Sequence, residues 1–223
     1  DSISFLDTRY YVQEQIKMVI EDMIRQAVLI GSTGFIFTSG GPSPAEAGID
    51  AAAVFDDFMG WLCSRLSEYG IQALLEPADY DVDKCQFYGS SAACVDLINR
   101  VNPREKNFGI NLDYAHVPLM HESIEKATRT TGPHIKRVHL GNCVLREKEH
   151  SFYGDTHPPI GMKGGEMDVP ELVTIFKELL NVGYLSKNER GALLIEMVPW
   201  PGKSVEETVR DNFERMDRAW KEV

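Results

Sequence analysis

The sequence predicts an α/β fold built on parallel strands, and three observations carry that expectation. Apolar runs of strand length alternate with longer segments of helical period along the whole chain. The runs are continuously apolar rather than alternating in and out, as expected of strands buried on both faces of a parallel sheet. Glycines, prolines and capping residues punctuate the alternation at the expected places.

The elements follow in order. Tyr10 to Ile30 has helical periodicity and ends at Gly31; "GFIFTSGG" is then a short strand running into a glycine loop. After the loop "PSPAEAG", Asp50 is placed as the N-cap of a helix that Gly70 stops. "IQALLEP" is a strand halted at Pro77, and Ser90 or Ser91 caps a helix to about Val101. "NFGINLD" is a strand, Ser123 to Thr130 a helix and "IKRVHL" a strand. A long loop from Gly141 to Met167 carries the densest run of Gly, Pro and His. "DVPELVTIFKELLNVG" is a helix with Pro170 in its first turn, "GALLIEM" a strand, and the closing helix begins at a Ser204-x-x-Glu207 capping box. Five strands separated by helices fit a doubly wound open sheet or a TIM barrel. No GxGxxG or P-loop follows any strand, so the nucleotide-binding forms of the open sheet lack support.

The 223 residues are enough for one core, so a single domain spanning 1–223 is expected. Acidic residues outnumber basic ones 34 to 23, and the net charge of -11 disfavours nucleic acid as a partner. No apolar run approaches the roughly 20 residues of a membrane-spanning helix, and the start has no signal-peptide pattern. Cys63, Cys85, Cys94 and Cys143 lack CxxC spacing and read as reduced thiols of a cytoplasmic protein, with Cys63 in the core.

The strand ends carry the chemistry. "ALLEP" ends on Glu76, "INLDYAH" on Asp113 with His116 just beyond, "RVHLGN" has His139 near its end, and "LLIEM" ends on Glu196. One such residue would be an ordinary solvated group. Four successive strands each delivering one oxygen or nitrogen donor point to a hard divalent-metal site of manganese, magnesium, cobalt or zinc type. In "FYGDTHPPIG", Asp155 and His157 stand two apart, so an extended segment would aim both side chains the same way. They are candidates for a supporting pair, a substrate clamp or a second metal site. His116 is a candidate substrate-hydroxyl contact, and Arg146 could reach an anionic or hydroxylated substrate, although an exposed loop arginine is its commoner role. His121, His134 and His150 are placed at the surface.

The chain resembles the xylose-isomerase-like TIM barrels, a group that includes sugar-phosphate isomerases and epimerases of the D-tagatose 3-epimerase type and endonuclease IV. The resemblance rests on Glu76, then Asp113-Tyr114-Ala115-His116, then His139, then Glu196, with Asp155-x-His157 matching a pair found in parts of the family. It implies a (β/α)8 barrel. Only five strands are read here, so the expected architecture is the C-terminal five β/α units, lacking the first three strands. The rest would come from a longer polypeptide, an N-terminal fragment or a neighbouring subunit. The resemblance further implies a metal, most naturally Mn2+, held by Glu76, Asp113, His139 and Glu196, with Glu76 and Glu196 also acting as acid/base groups and His116 orienting a substrate oxygen.

The expected function is therefore proton abstraction next to a carbonyl through an enediolate, giving sugar isomerisation or epimerisation of a small, unphosphorylated carbohydrate. The alternative is metal-dependent elimination from a 3-oxo-glycoside as a C-glycoside deglycosidase, which the long Gly141 to Met167 loop keeps open. Endonuclease-IV-like phosphodiester hydrolysis and a non-catalytic sugar-binding barrel are the weaker expectations.

Overall fold

A computed structural model describes residues 4–102, 106–188 and 190–223. The chain divides into two compact units, Asp1–Ile110 and Asn111–Val223.

In the first unit, α1 (Tyr10–Leu29) buries the stripe Val12, Ile16, Ile20 and Ile24, one residue per turn. It leads through Gly31, at φ +69°, to β1 (Gly34–Phe37). Helix α2 (Ala51–Ser67) buries Phe55, Phe58, Met59, Leu62 and Leu66, and Phe58 stacks on Phe5 at 4.8 Å between ring centres. Asp50 precedes α2 as expected, but its backbone is already helical and its side chain makes no capping bond. An N-cap needs extended backbone to aim its oxygen at the next turn, and Asp50 lacks it. Then come β2 (Gln72–Leu75), α3 (Ser91–Val101) and β3 (Phe108–Asp113). Ser90 is the residue that caps α3, accepting from Ala93 N–H. The ladder is parallel, with Phe37 opposite Leu75 and Leu75 opposite Ile110.

The second unit begins within β3, whose six residues are all buried. The short α4 (His116–Leu119), which no periodicity announced, follows directly. Helix α5 (Ile124–Thr131) is capped by Ser123, and β4 (Ile135–Leu140) spans the expected residues. Helix α6 (Val169–Asn181) starts from a capping box of Asp168 and Glu171 and α7 (Val205–Trp220) from that of Ser204 and Glu207. Between them β5 (Leu193–Ile195) pairs in parallel with β4, Leu140 opposite Ile195. Strand β5 is shorter and more exposed than the sequence implied, with Leu194 36% exposed. It pairs on one side only among the described residues. No helix among the described residues is long and apolar enough to cross a membrane.

Candidate metal centre

The parallel ladder places the C-terminal ends of β3, β4 and β5 of the second unit close together, and each end carries a donor. Asp113 closes β3 and is fully buried. Its Oδ1 accepts from Ala115 N–H at 2.7 Å, which fixes the carboxylate at the point where the strand turns into α4. Its Oδ2 makes no hydrogen bond among the described residues, although it is buried. That oxygen lies 3.9 Å from Nδ1 of His139 and 3.8 Å from Nε2 of His157.

His139 is the fifth residue of β4, and its Nδ1 meets Oε2 of Glu196 at 2.5 Å. Glu196 follows the last paired residue of β5 and donates its backbone N–H to the Leu140 carbonyl (3.2 Å). Hydrogen bonding from His139 holds the Glu196 carboxyl below the usual glutamate range, against the opposing effect of burial. Donor atoms of Asp113, His139 and Glu196 all lie within 4.8 Å of one another.

A second group overlaps the first. Donor atoms of Asp113, His116 and His157 also lie within 4.8 Å of one another. Asp155 ties the two imidazoles together, with Oδ1 2.7 Å from Nε2 of His157 and Oδ2 3.2 Å from Nε2 of His116. Burial alone would raise the Asp155 carboxyl, but the two imidazoles prevail and hold it far below its ordinary value. Burial works against a charge on His157; its bond to Asp155 and the nearby Asp113 and Glu196 carboxylates outweigh this and raise it to about 9. The Asp155–His157 contact does not arise from extended backbone. Asp155 lies in a bend and His157 has φ +50°.

Glu76 follows the last residue of β2 in the first unit, half-buried, its N–H bonded to the Phe37 carbonyl at 2.9 Å. Arg146 stays at the surface, its guanidinium on Glu166, and belongs to neither group. His121 is exposed as expected, whereas His134 and His150 are half-buried. Cys143 is buried, and burial raises its thiol, aided by the Glu166, Asp155 and Asp113 carboxylates.

Three residues escaped the sequence reading. Buried Asn111 lies two residues before Asp113 on the same face of β3 and places its amide nitrogen 3.2 Å from Nδ1 of His139. A polar residue inside an apolar strand was the available signal. Buried Asn142 organises the long loop: its Oδ1 accepts from the N–H groups of Cys143, Glu166 and Met167, and its Nδ2 donates to the Pro159 carbonyl. Gly141 gives the site room, because a Cβ there would lie 2.8 Å from Ala115 Cβ, 3.0 Å from His157 Nδ1 and 3.1 Å from Asp113 Oδ1.

The residues fit a divalent cation. Carboxylate oxygens and imidazole nitrogen form a hard, mixed donor set. Asn111, Glu196 and Asp113 all converge on one imidazole nitrogen, which has a single proton or lone pair to offer. Oδ2 of Asp113, buried without a hydrogen bond, is left in the state that a cation would satisfy.

Residues 11–218 match the xylose isomerase-like TIM barrel family, and the chain belongs to it. A D-tagatose 3-epimerase-like protein superposes with a TM-score of 0.75 at 16% identity, covering 99% of this chain and 74% of that one. A D-psicose 3-epimerase studied with D-fructose gives 0.72 at 16% identity, covering 96% and 73%. A 3-keto-D-glucoside 4-epimerase from E. coli gives 0.70 at 14% identity, covering 96% and 74%. A search of curated proteins gave no match.

Proposed function

We propose that the chain carries the site of a divalent-metal-dependent isomerase or epimerase acting on a small, unphosphorylated keto-sugar. The observation that carries this reading is the clustering of Asp113 Oδ2, His139 Nδ1 and Glu196 Oε2 at adjacent strand ends in a chain of the xylose isomerase-like TIM barrel family. Asp113, His139 and Glu196 would hold the cation, most naturally Mn2+, and the family resemblance would add Glu76, the residue after β2, as a fourth ligand. When bound, the cation supplies Lewis-acid stabilisation of the enediolate oxygens.

The residues divide the remaining work. Glu196 is a carboxylate, and its ordinary value of 4.5 already leaves it ionised at neutral pH. Its side chain is 47% exposed, so a substrate can reach it. It is therefore suited to take a proton from the carbon beside the carbonyl, and the family resemblance would make Glu76 the second acid/base group. Return of a proton to the other face of the same carbon inverts it, and return to its neighbour interconverts aldose and ketose. His116, steadied by Asp155, contacts a sugar hydroxyl. The acidic chain of net charge -11 has no nucleic-acid partner in this reading.

Elimination from a 3-oxo-glycoside uses the same proton abstraction and is the second reading. It is favoured by the long loop that brings Asp155 and His157 to the site. The test is to load the protein with Mn2+ and follow deuterium incorporation from heavy water into a panel of keto-sugars and 3-oxo-glycosides. Exchange without release of an aglycone supports the first reading, release supports the second, and neither in a Mn2+-loaded protein rules out both.

A further inference from the structure

His157 is a non-glycine residue with left-handed backbone, φ +50°, at the edge of the candidate metal centre. Such conformations persist where the surroundings hold them, and they cluster at functional sites. Two bonds from this one residue reach the exit of β5. Its carbonyl accepts from Val198 N–H at 2.8 Å, and its Nδ1 lies 3.3 Å from the Glu196 carbonyl. The far side of the ring, Nε2, is held by buried Asp155 at 2.7 Å. With Nδ1–H given to a main-chain carbonyl, the ring is oriented at both ends.

Glu196 needs such a hold. It lies one residue past the last rung of a three-residue strand, where its N–H bond to the Leu140 carbonyl is its main-chain tie to β4 among the described residues. Its half-exposed side chain is not fixed by packing. Gly141 leaves the space that the ring occupies.

We infer that His157 is a positioning residue for Glu196, a clasp that fixes the β5 exit through the Glu196 carbonyl and Val198 N–H and so sets where the Glu196 carboxylate meets the cation. The inference rests on the proposed metal-dependent function. It assigns His157 an action through another residue's main chain, distinct from direct contact with cation or sugar.

Two substitutions separate the possibilities. Glycine adopts φ > 0 without strain, so His157→Gly should fold while losing the ring. In His157→Asn, the residue also tolerates left-handed backbone, and its amide nitrogen can stand in for Nδ1 without reaching Asp155. Mn2+ titration followed by electron paramagnetic resonance should show affinity weakened about 10- to 100-fold in His157→Gly, the range for loss of a group that orients a metal ligand, and largely restored in His157→Asn. Amide hydrogen exchange at Met197 and Val198, read without metal, should speed up in His157→Gly and slow again in His157→Asn. Wild-type exchange and Mn2+ affinity in His157→Gly would overturn the inference. Equal loss in both variants would also overturn it, because the ring would then act through Nε2. The exchange readout needs no cation, so it decides the clasp even if the wild type takes up no Mn2+, a result that would overturn the proposed function alone.

Discussion

The exits of β3 and β5 deliver the same chemical group in opposite states. Asp113 at the end of β3 is fully buried, with one oxygen bonded to Ala115 N–H and the other left without a hydrogen bond. Glu196 at the end of β5 is half-exposed, reached by His139 on its side chain and by His157 on its main chain. A buried carboxylate in a fixed turn suits a permanent ligand, since it gives the cation a preset position. An accessible carboxylate suits a group that must also meet substrate and move a proton. The difference follows from the strands: β3 is buried along its length, whereas β5 is a short strand paired on one side among the described residues.

The largest expected effect breaks the first half of this contrast. Asp113→Ala should lower Mn2+ affinity by more than about 100-fold, beyond the range typical of supporting partners, as measured by titration against a metal indicator. Glu196→Gln should separate the two roles. Proton exchange into substrate should fall by about 10²- to 10⁴-fold, the contribution of a positioned acid/base group, while Mn2+ affinity falls less than in Asp113→Ala. Gly141→Ala should cost about 1–3 kcal/mol through overpacking against Ala115 and Asp113, read as a lower urea midpoint together with weaker Mn2+ binding.

Smaller effects lie outside the centre and act as controls. Glu178 is nearly buried and takes a two-pronged bond from Arg129, which holds its carboxyl below the ordinary value of 4.5. Near that pH the unfolded chain binds the proton more tightly. This contribution to stability is therefore present above the unfolded value and is lost as pH falls through the lower folded one. Denaturant melts at a series of pH values should show this loss in the wild type and a flatter profile in Glu178→Gln. The smallest effect is expected from Arg146→Ala, which removes a surface ion pair with Glu166 and should leave Mn2+ binding and turnover unchanged.

Much of this arrangement was legible in the sequence because a donor that follows an apolar run breaks the hydropathy pattern at a position that the fold makes meaningful. Asp113, His139 and Glu196 were singled out that way, while the caps at Ser90, one of two candidates, and Ser204 were read from capping chemistry at the helix starts. What stayed hidden depends on contacts distant in sequence or on backbone angles. Asn142 links itself to Glu166 and Met167 through a loop whose closure no local pattern encodes. The positive φ at His157 departs from the extended backbone that would aim its side chain the same way as that of Asp155. Helix α4 is too short for a period to show, and Asp50 has capping chemistry without the backbone angle to use it.

The central claim is that a divalent cation completes Asp113, His139 and Glu196. Its most direct test is elemental analysis of the protein after Mn2+ loading and exhaustive dialysis, beside Asp113→Ala treated identically. The account predicts about one tightly held Mn2+ per chain in the wild type, as one open-sided site of this donor set should retain, and almost none in the variant. Equal metal content in the two proteins, or none in either, would contradict it.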